Sequence, residues 1–297
     1  MHRRLWAHKI FLLCTGPTVG ICAIVKDDPD VLEWIDHHLR LGVSQIIILD
    51  NNSTSSLYDV SCKYHNQTTG KNDRFTGNGH YATSSCKLLP YMHSGVVEVI
   101  AFPGQGQSLQ LTAYDLCLAR YRDRFDFLAM LDVDEYIVIA EPSATLPGIL
   151  HNFTDVGGLA LSWQSFASSG HEIRPDGGVV ANYFRCFPQS HSNNWHVKSI
   201  VNTKYAVHFL DPHHATYADS YFAVNSNFVK VDGPFSNPAV FDTIYLHHYQ
   251  TRSREDFANK VAKGAADSSR KNWSYFDTLE REAIENCSIL IGRLVSN

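Results

Sequence analysis

The residues best suited to chemistry in this chain are Asp132, Asp134 and Glu135. They end an apolar run of Phe127, Leu128, Ala129, Met130 and Leu131. An unbroken apolar run of this length predicts a strand buried on both faces, as in parallel sheets. Open α/β sheets bind ligands beyond the carboxyl ends of such strands. In extended backbone, side chains at i and i+2 share a side, so the spacing predicts that Asp132 and Asp134 face one site. Two carboxylates forced together repel, and one holds its proton unless a cation compensates. All-oxygen ligation suits Mg²⁺ or Mn²⁺, which keep positions open for substrate phosphates. The plainer alternative is a solvated acidic turn after a core strand.

These acids need elements to position them. The sequence predicts a first buried strand over 19–26. A helix follows, with Asp28 as N-cap, Pro29 in its first turn, and Val31, Leu32, Ile35 and Leu39 at helical spacing. Gly42 suits the position after its end, and a second buried strand over 43–49 leads into Asp50. Strand, helix and strand in this order form a βαβ unit with a right-handed crossover. Residues 58–94 are polar and read as a surface insertion. A third strand is expected over 95–102. A helix from Gln105 carries Leu111, Tyr114, Leu118 and Tyr121 on one stripe and feeds the acid-tipped strand.

After Pro142 the pattern changes. A strand is expected over 157–166, then a loop of Ser168, Ser169, Gly170 and His171. Pro175, Asp176, Gly177 and Gly178 predict a hairpin turn. Two short strands fall within 195–209, and another over 243–249 ends in His247, His248 and Tyr249. Ser253 opens a helix, with Asp256 completing a capping box and Phe257 and Val261 on its apolar stripe. The expected fold is α/β: an open, mostly parallel sheet flanked by helices. One domain over 1–297 would divide into a nucleotide-binding half, 19–140, and a mixed acceptor-binding half, 141–264.

Composition narrows the function. The chain has 297 residues, of which 44% are hydrophobic, enough for a sizeable core. Its net charge of −5 argues against a nucleic-acid partner, which would call for a basic face. No segment approaches the ~20 apolar residues of a membrane span. Near the start, Arg3, Arg4 and Lys9 precede an apolar run over 10–13 too short to anchor the chain. The expected compartment is the Golgi or secretory lumen if an anchor lies outside this chain, and the cytoplasm otherwise. Six sequons, at Asn51, Asn52, Asn66, Asn152, Asn272 and Asn286, lend the secretory option weak support. Of seven cysteines, none forms a Cys-x-x-Cys zinc pattern. Cys62 and Cys86 bracket the polar insertion and read as a disulfide, with Cys22 and Cys117 as buried free thiols.

Two acid-tipped strands now open onto one crevice. No Gly-x-Gly-x-x-Gly follows the first strand, and no phosphate-binding Gly-x-x-x-x-Gly-Lys-Ser/Thr loop is present. Asp50, with amide neighbours, can accept hydrogen bonds from a nucleobase or ribose, while a metal-binding pair holds a diphosphate. Together these describe a nucleotide-sugar site.

The strings AIVKDDPDVLEWIDHHLRLGVSQIIILDNNST, RYRDRFDFLAMLDVDEYIV, LSWQSFASSGH, HVKSIV and HHYQTRSREDFANK, in this order, resemble glycosyltransferase family 92, a GT-A-fold family. The likeness runs over about residues 19–264. The family's common Lys-Asn-Glu after the first strand is Lys26, Asp27, Asp28 here, and the 58–94 insertion matches no family motif. The resemblance implies an inverting, Mn²⁺- or Mg²⁺-dependent transferase that moves galactose from UDP-galactose to a glycan or glycoconjugate. It implies a metal site of Asp132, Asp134 and His248. It places Lys26, Asp50 and Asp132 on the donor, with Lys198 and Arg252 as cations for the leaving diphosphate. Inversion needs a base for the acceptor hydroxyl, for which His171 and Glu135 are candidates. Trp163, His171 and Trp195 are expected on the acceptor. His208 also matches a family histidine, without an assigned role. Two other readings compete: a nucleotidyltransferase, which normally has a glycine-rich basic loop after its first strand, and a catalytically silent carbohydrate-binding relative. Sugar transfer would exclude the first, and Mn²⁺-dependent hydrolysis of a UDP-sugar the second.

Overall fold

A computed structural model describes residues 16–53, 88–105, 108–263 and 272–287. The proposed Cys62–Cys86 pair and the sequon at Asn66 lie outside these residues. In chain order the elements begin β1 (Val19–Val25), α1 (Val31–Arg40), β2 (Gln45–Asp50), α2 (Leu89–His93), β3 (Val97–Ala101) and α3 (Leu109–Tyr121). Then come β4 (Phe127–Met130), β5 (Glu135–Ile139), α4 (Leu146–Leu150), β6 (Gly158–Phe166), α5 (Val179–Asn182), β7 (Arg185–Cys186) and β8 (Val197–Asn202). The rest are β9 (Ala206–Phe209), β10 (Ala215–Tyr217), β11 (Ala223–Val224), β12 (Lys230–Val231), β13 (Ile244–Tyr249), α6 (Arg254–Lys263), α7 (Trp273–Glu282) and β14 (Glu285–Asn286).

The main sheet runs β3-β2-β1-β4-β8-β6-β11-β12. The first four strands are mutually parallel, as the apolar runs predict. β8 is antiparallel to both β4 and β6 and so carries the sheet from one half of the chain into the other. β13 pairs parallel to β6 and antiparallel to β5. The strands are apolar on both faces because helices and loops cover both: Ile46 and Ile48 belong to one core cluster, Ile47 and Leu49 to another. Gly20 shows how closely these layers pack, since a Cβ there would meet the Phe125 ring at 2.7 Å. Among the described residues no helix is long and apolar enough to cross a membrane.

Four local expectations are corrected. The acids do not end one extended strand: β4 stops at Met130, Glu135 opens β5, and the Glu135 amide donates to the Asp132 carbonyl at 3.0 Å. Asp132 and Asp134 therefore sit in a tight turn, where the i, i+2 rule does not apply. Asp30, not Asp28, stands at the start of α1, and Asp28 accepts from the Asp30 amide at 2.9 Å. The Pro-Asp-Gly-Gly stretch makes no hairpin. Gly177 and Gly178, at φ of 97° and 87°, lead into α5, whose first amides at Val179 and Val180 donate to Glu33 at 2.6 and 3.1 Å. Lastly, the 58–94 stretch is not surface throughout: Leu88 and Leu89 are buried, the latter opening α2, while Pro90, His93 and Ser94 are exposed.

α1 closes an edge that would otherwise lack partners. Among the described residues β5 pairs with β13 on one side only. On the other side Trp34 Nε1 donates to the Glu135 carbonyl at 2.7 Å, and His37 Nε2 donates to the Ile137 carbonyl at 2.7 Å. His38 donates from Nδ1 to the Trp34 carbonyl at 2.8 Å, so its Nε2 is bare and accepts from the Ile137 amide at 3.3 Å. Three side chains thus satisfy backbone groups whose burial would be costly if unpaired. Burial pushes His37 down to about 4 and His38 well below the ordinary histidine value, so both stay neutral, as these bonds require.

The expectation of free thiols at Cys22 and Cys117 is also overturned. Cys22 and Cys117 form a disulfide joining β1 to α3, and Cys186 and Cys287 form another joining β7 to the residue after β14. Sequence spacing could not show this, because each pair is brought together by the fold across 95 and 101 residues. Two disulfides fit an oxidising compartment. Peptide mapping of protein made in the secretory pathway, under non-reducing conditions, should recover Cys22 linked to Cys117 and Cys186 linked to Cys287. Free thiols at all four would contradict both pairings.

Candidate active site at the carboxyl edge of the sheet

Asp50 ends β2 and the acidic turn follows β4, and these strands flank β1. Both therefore lie at the carboxyl edge of the parallel strands, where the chain reverses and leaves a crevice. The turn is fixed from beneath by Lys198 on β8. Its side chain is 1% exposed, and Nζ lies 2.9 Å from Asp132 Oδ2, 3.3 Å from Glu135 Oε2 and 3.1 Å from the Tyr114 hydroxyl. Burial opposes the charge on Lys198, but Asp132 and Glu135 outweigh it and hold the ammonium well above the usual lysine range. α3 supplies the rest: Gln110 Nε2 donates to Asp132 Oδ1 at 2.8 Å and to the Tyr114 hydroxyl at 2.8 Å. Both oxygens of Asp132 are thus oriented by the protein, while 35% of the side chain stays exposed.

Glu135 is different. It is 0% exposed, and Oε2 accepts from the Asp132 amide at 2.9 Å. Burial pushes its carboxyl up to about 8, with Lys198 opposing and Asp132 and Asp134 reinforcing the shift. Its carboxyl faces the interior, so the structure does not favour it as the base for an acceptor hydroxyl. Its geometry is that of a brace under the turn.

Asp134 faces the other way. Its Oδ1 is 3.6 Å from His248 Nε2, and its Oδ2 accepts from Lys260 Nζ at 2.5 Å. The Tyr249 amide donates to the Asp134 carbonyl at 2.9 Å, which locks the turn to the end of β13. A carboxylate and an imidazole about 3.6 Å apart can close on one divalent ion, and a mixed oxygen and nitrogen set suits Mn²⁺. The expected three-ligand set is not assembled, however. Among the described residues the only trio with ligand atoms within 4.8 Å of one another is Cys186, Glu285 and Cys287, two of which form a disulfide. Asp132 is drawn instead to Lys198 and Gln110. Two ammonium groups, from Lys198 and Lys260, supply positive charge to the acids that a cation would share.

At the end of β2, Asp50 Oδ1 accepts from the Ser53 amide at 3.1 Å and its hydroxyl at 2.6 Å. Ser53 Oγ in turn accepts from the Asp27 amide at 3.0 Å, tying the loop after β2 to the loop after β1. Lys26 is exposed at the end of β1. Arg252 is not available to a diphosphate: it is buried and paired with Asp28 at 3.1 Å and Asp30 at 2.7 Å. Arg174 completes this network through Asp30 and Asp256.

The remaining candidates divide. Trp163 packs against His248 with ring centroids 4.0 Å apart, beside the acidic turn. Trp195, partly exposed, ends a short 3₁₀ turn, Ser192–Trp195. His171 donates from Nε2 to the Asn182 carbonyl at 3.2 Å and meets the Tyr183 ring edge-on, just beyond β6. His208 sits exposed on the separate β9–β10 hairpin, bonded to Thr216 at 2.9 Å. His247 is buried against Phe166 and bonded to the Tyr249 hydroxyl at 3.2 Å. Sequence reasoning missed Gln110 and Lys260. Gln110 stands one helical turn before Tyr114, so its position on the inner stripe was the available signal; nothing in the α6 sequence pointed Lys260 at Asp134.

The glycosyltransferase family 92 sequence model matches residues 82–288. A glycosyltransferase family 92 protein of Oryza sativa subsp. japonica is 24% identical over 186 residues. That alignment covers 61% of this chain and 26% of the rice protein, so the chain spans about a quarter of that relative's length. Among solved structures, a mannosyltransferase from Pyrobaculum calidifontis in complex with GDP-Man and Mn²⁺ is similar at a TM-score of 0.32. Its identity is 11%, over 50% of this chain and 36% of that one.

Removing the buried ammonium should cost fold stability before it costs chemistry. Lys198→Met leaves Asp132 and Glu135 without their cation, and breaking a buried pair from one side costs about 3–5 kcal/mol. Chemical denaturation should show a loss of about that size. A loss below about 1 kcal/mol would show that the acids do not depend on Lys198.

Proposed function

The chain belongs to glycosyltransferase family 92, and on that premise we propose that it transfers galactose from UDP-galactose to a carbohydrate acceptor, with inversion and with Mn²⁺ or Mg²⁺ as cofactor. The observation that carries the reading is the acidic turn, held rigid at the carboxyl edge beside Asp50, with Asp134 facing His248. Family membership removes the ground for a nucleotidyltransferase.

Asp134 and His248 would hold the metal ion, with Asp132 completing the acidic face. When bound, the ion supplies charge stabilisation for the leaving diphosphate. The protein's own parts do the rest. Asp50 accepts from the nucleoside through Oδ2, since among the described residues Ser53 bonds Oδ1 only. Lys260, 37% exposed, is the cation within reach of the diphosphate, in place of the buried Lys198 and Arg252. Lys26 adds a second, exposed charge at the same edge. The bond from His171 Nε2 to a carbonyl fixes the proton on Nε2, which leaves Nδ1 as the basic atom for an acceptor hydroxyl. Trp195 offers a partly exposed ring for the acceptor sugar.

Asp134→Ala should abolish Mn²⁺-dependent UDP binding while leaving the thermal midpoint near that of the parent, read by calorimetry with and without metal. UDP affinity unchanged in the presence of Mn²⁺ would refute the metal assignment. His171→Ala should lower the turnover number of transfer by ~10²–10⁴-fold if it is the base, with UDP and Mn²⁺ binding intact. A rise in acceptor KM alone would reduce it to a positioning residue, and unchanged kinetics would exclude both roles.

A further inference from the structure

Beside the acidic turn, packed on His248, lies a cluster of rings to which the proposed reaction assigns no task. Trp163, which packs on His248, also stacks on His196 with centroids 4.8 Å apart and planes 18° apart. His213 meets Trp163 at 5.2 Å and His196 at 5.5 Å. The three rings come from β6, the residue before β8 and the loop between β9 and β10, so only the folded chain gathers them.

Their hydrogen bonds fix what they present. His213 Nδ1 lies 2.8 Å from the Val197 carbonyl, and His196 Nδ1 lies 3.1 Å from the Asn193 carbonyl. A carbonyl only accepts, so each imidazole carries its proton on Nδ1, and its Nε2 is a bare acceptor. Burial, reinforced by the charge of Lys198, pushes His213 down to about 4, and burial also lowers His196. Both rings are therefore uncharged at neutral pH. Trp163 is 8% exposed, yet its indole N–H has no hydrogen-bond partner among the described residues. A buried, unpartnered donor beside two bare acceptors is costly unless a ligand satisfies it.

One donor and two neutral acceptors complement a neutral, hydroxyl-rich ring. They suit neither a phosphate, which would want cations, nor an apolar group. The cluster's location is equally specific. His248 and Asp134 border it through Trp163, and His213 is bonded to Val197 and Ser199, the two neighbours in sequence of Lys198. In a nucleotide sugar the hexose is bonded directly to the diphosphate, so it occupies the space next to the groups that hold the diphosphate. The acceptor must approach from farther out.

We infer that Trp163, His196 and His213 form the subsite for the hexose being transferred, reading its hydroxyls through the indole N–H and the two imidazole Nε2 atoms. The inference rests on the nucleotide-sugar reading above and moves Trp163 from the acceptor to the donor.

The test compares UDP with UDP-galactose and UDP-glucose, titrated calorimetrically in Mn²⁺ into the parent chain, His213→Phe and His196→Phe. Phenylalanine keeps the ring packing on Trp163 and removes the acceptor nitrogen. UDP affinity serves as the internal check that each variant is folded and its diphosphate site intact. For at least one of the two UDP-hexoses, the ratio of its Kd to that of UDP should rise about tenfold in each variant, the value of one hydrogen bond to a ligand hydroxyl. UDP itself should bind as in the parent. A ratio unchanged in both variants would overturn the subsite while leaving the proposed function standing. Equal losses for UDP and the UDP-hexoses would also overturn it, placing the histidines in support of the diphosphate site. A parent chain that binds no UDP would refute the UDP reading and this inference together.

Discussion

The site depends on one buried ammonium. Lys198 stands under the turn that joins β4 to β5 and contacts Asp132, Glu135 and Tyr114. Without a cation there, three acids in four residues would repel one another in a region shielded from water. With it, Glu135 is held inside, Asp132 is oriented and Asp134 is left to face the crevice. The desolvation of a lysine is expensive, and it is tolerated because every neighbour of Nζ is an acceptor. The consequence is preorganisation: the acids are set before any ligand arrives, so a ligand need not supply the energy to order them.

α1 transmits this order across the molecule. Its Trp34, His37 and His38 bond the unpaired edge of β5, and its Glu33 caps the start of α5. At its amino end Asp30 meets Arg174 and Arg252. Arg252 adopts a φ of 54°, a left-handed conformation that costs an arginine roughly 1–3 kcal/mol. Its two aspartate partners hold it there, directly after the strand that delivers His248. The first and last parts of the described chain are thus joined at the crevice by ion pairs and by the sheet itself, through β8.

Charge and neutrality are segregated around the turn. Lys198 and Lys260 meet the acids, while the neighbouring wall is built of neutral imidazoles and an indole. The two zones differ because in the first carboxylates bond the cations directly and keep them charged, while in the second Nδ1 of each imidazole meets a backbone carbonyl, which holds the histidine proton on that nitrogen without charging the ring. A bipartite ligand, anionic at one end and hydroxyl-rich at the other, matches that division.

Much of this protein was legible in its sequence. Short apolar runs within 19–26, 43–49 and 127–131 pointed to buried strands, because they are too short for a buried helix and the first two are rich in Val and Ile. Ser253 and Asp256 marked the start of α6, since capping is a local interaction. The motifs, taken in their order along the chain, carried the family resemblance. What escaped were relations between distant residues. The Cys22–Cys117 and Cys186–Cys287 pairs, the reach of Lys260 to Asp134, the burial of Arg252 and Lys198, and the gathering of His196 and His213 on Trp163 each depend on where separate elements meet. The tight turn of Asp132 and Asp134 is the clearest case. Their residue types announced chemistry from the sequence alone, but whether they lay in a strand or a turn was decided by β5 pairing with β13 more than a hundred residues away. Local patterns determine which elements form and which faces are apolar; only tertiary packing decides which charged groups are desolvated together, and that sets their chemistry.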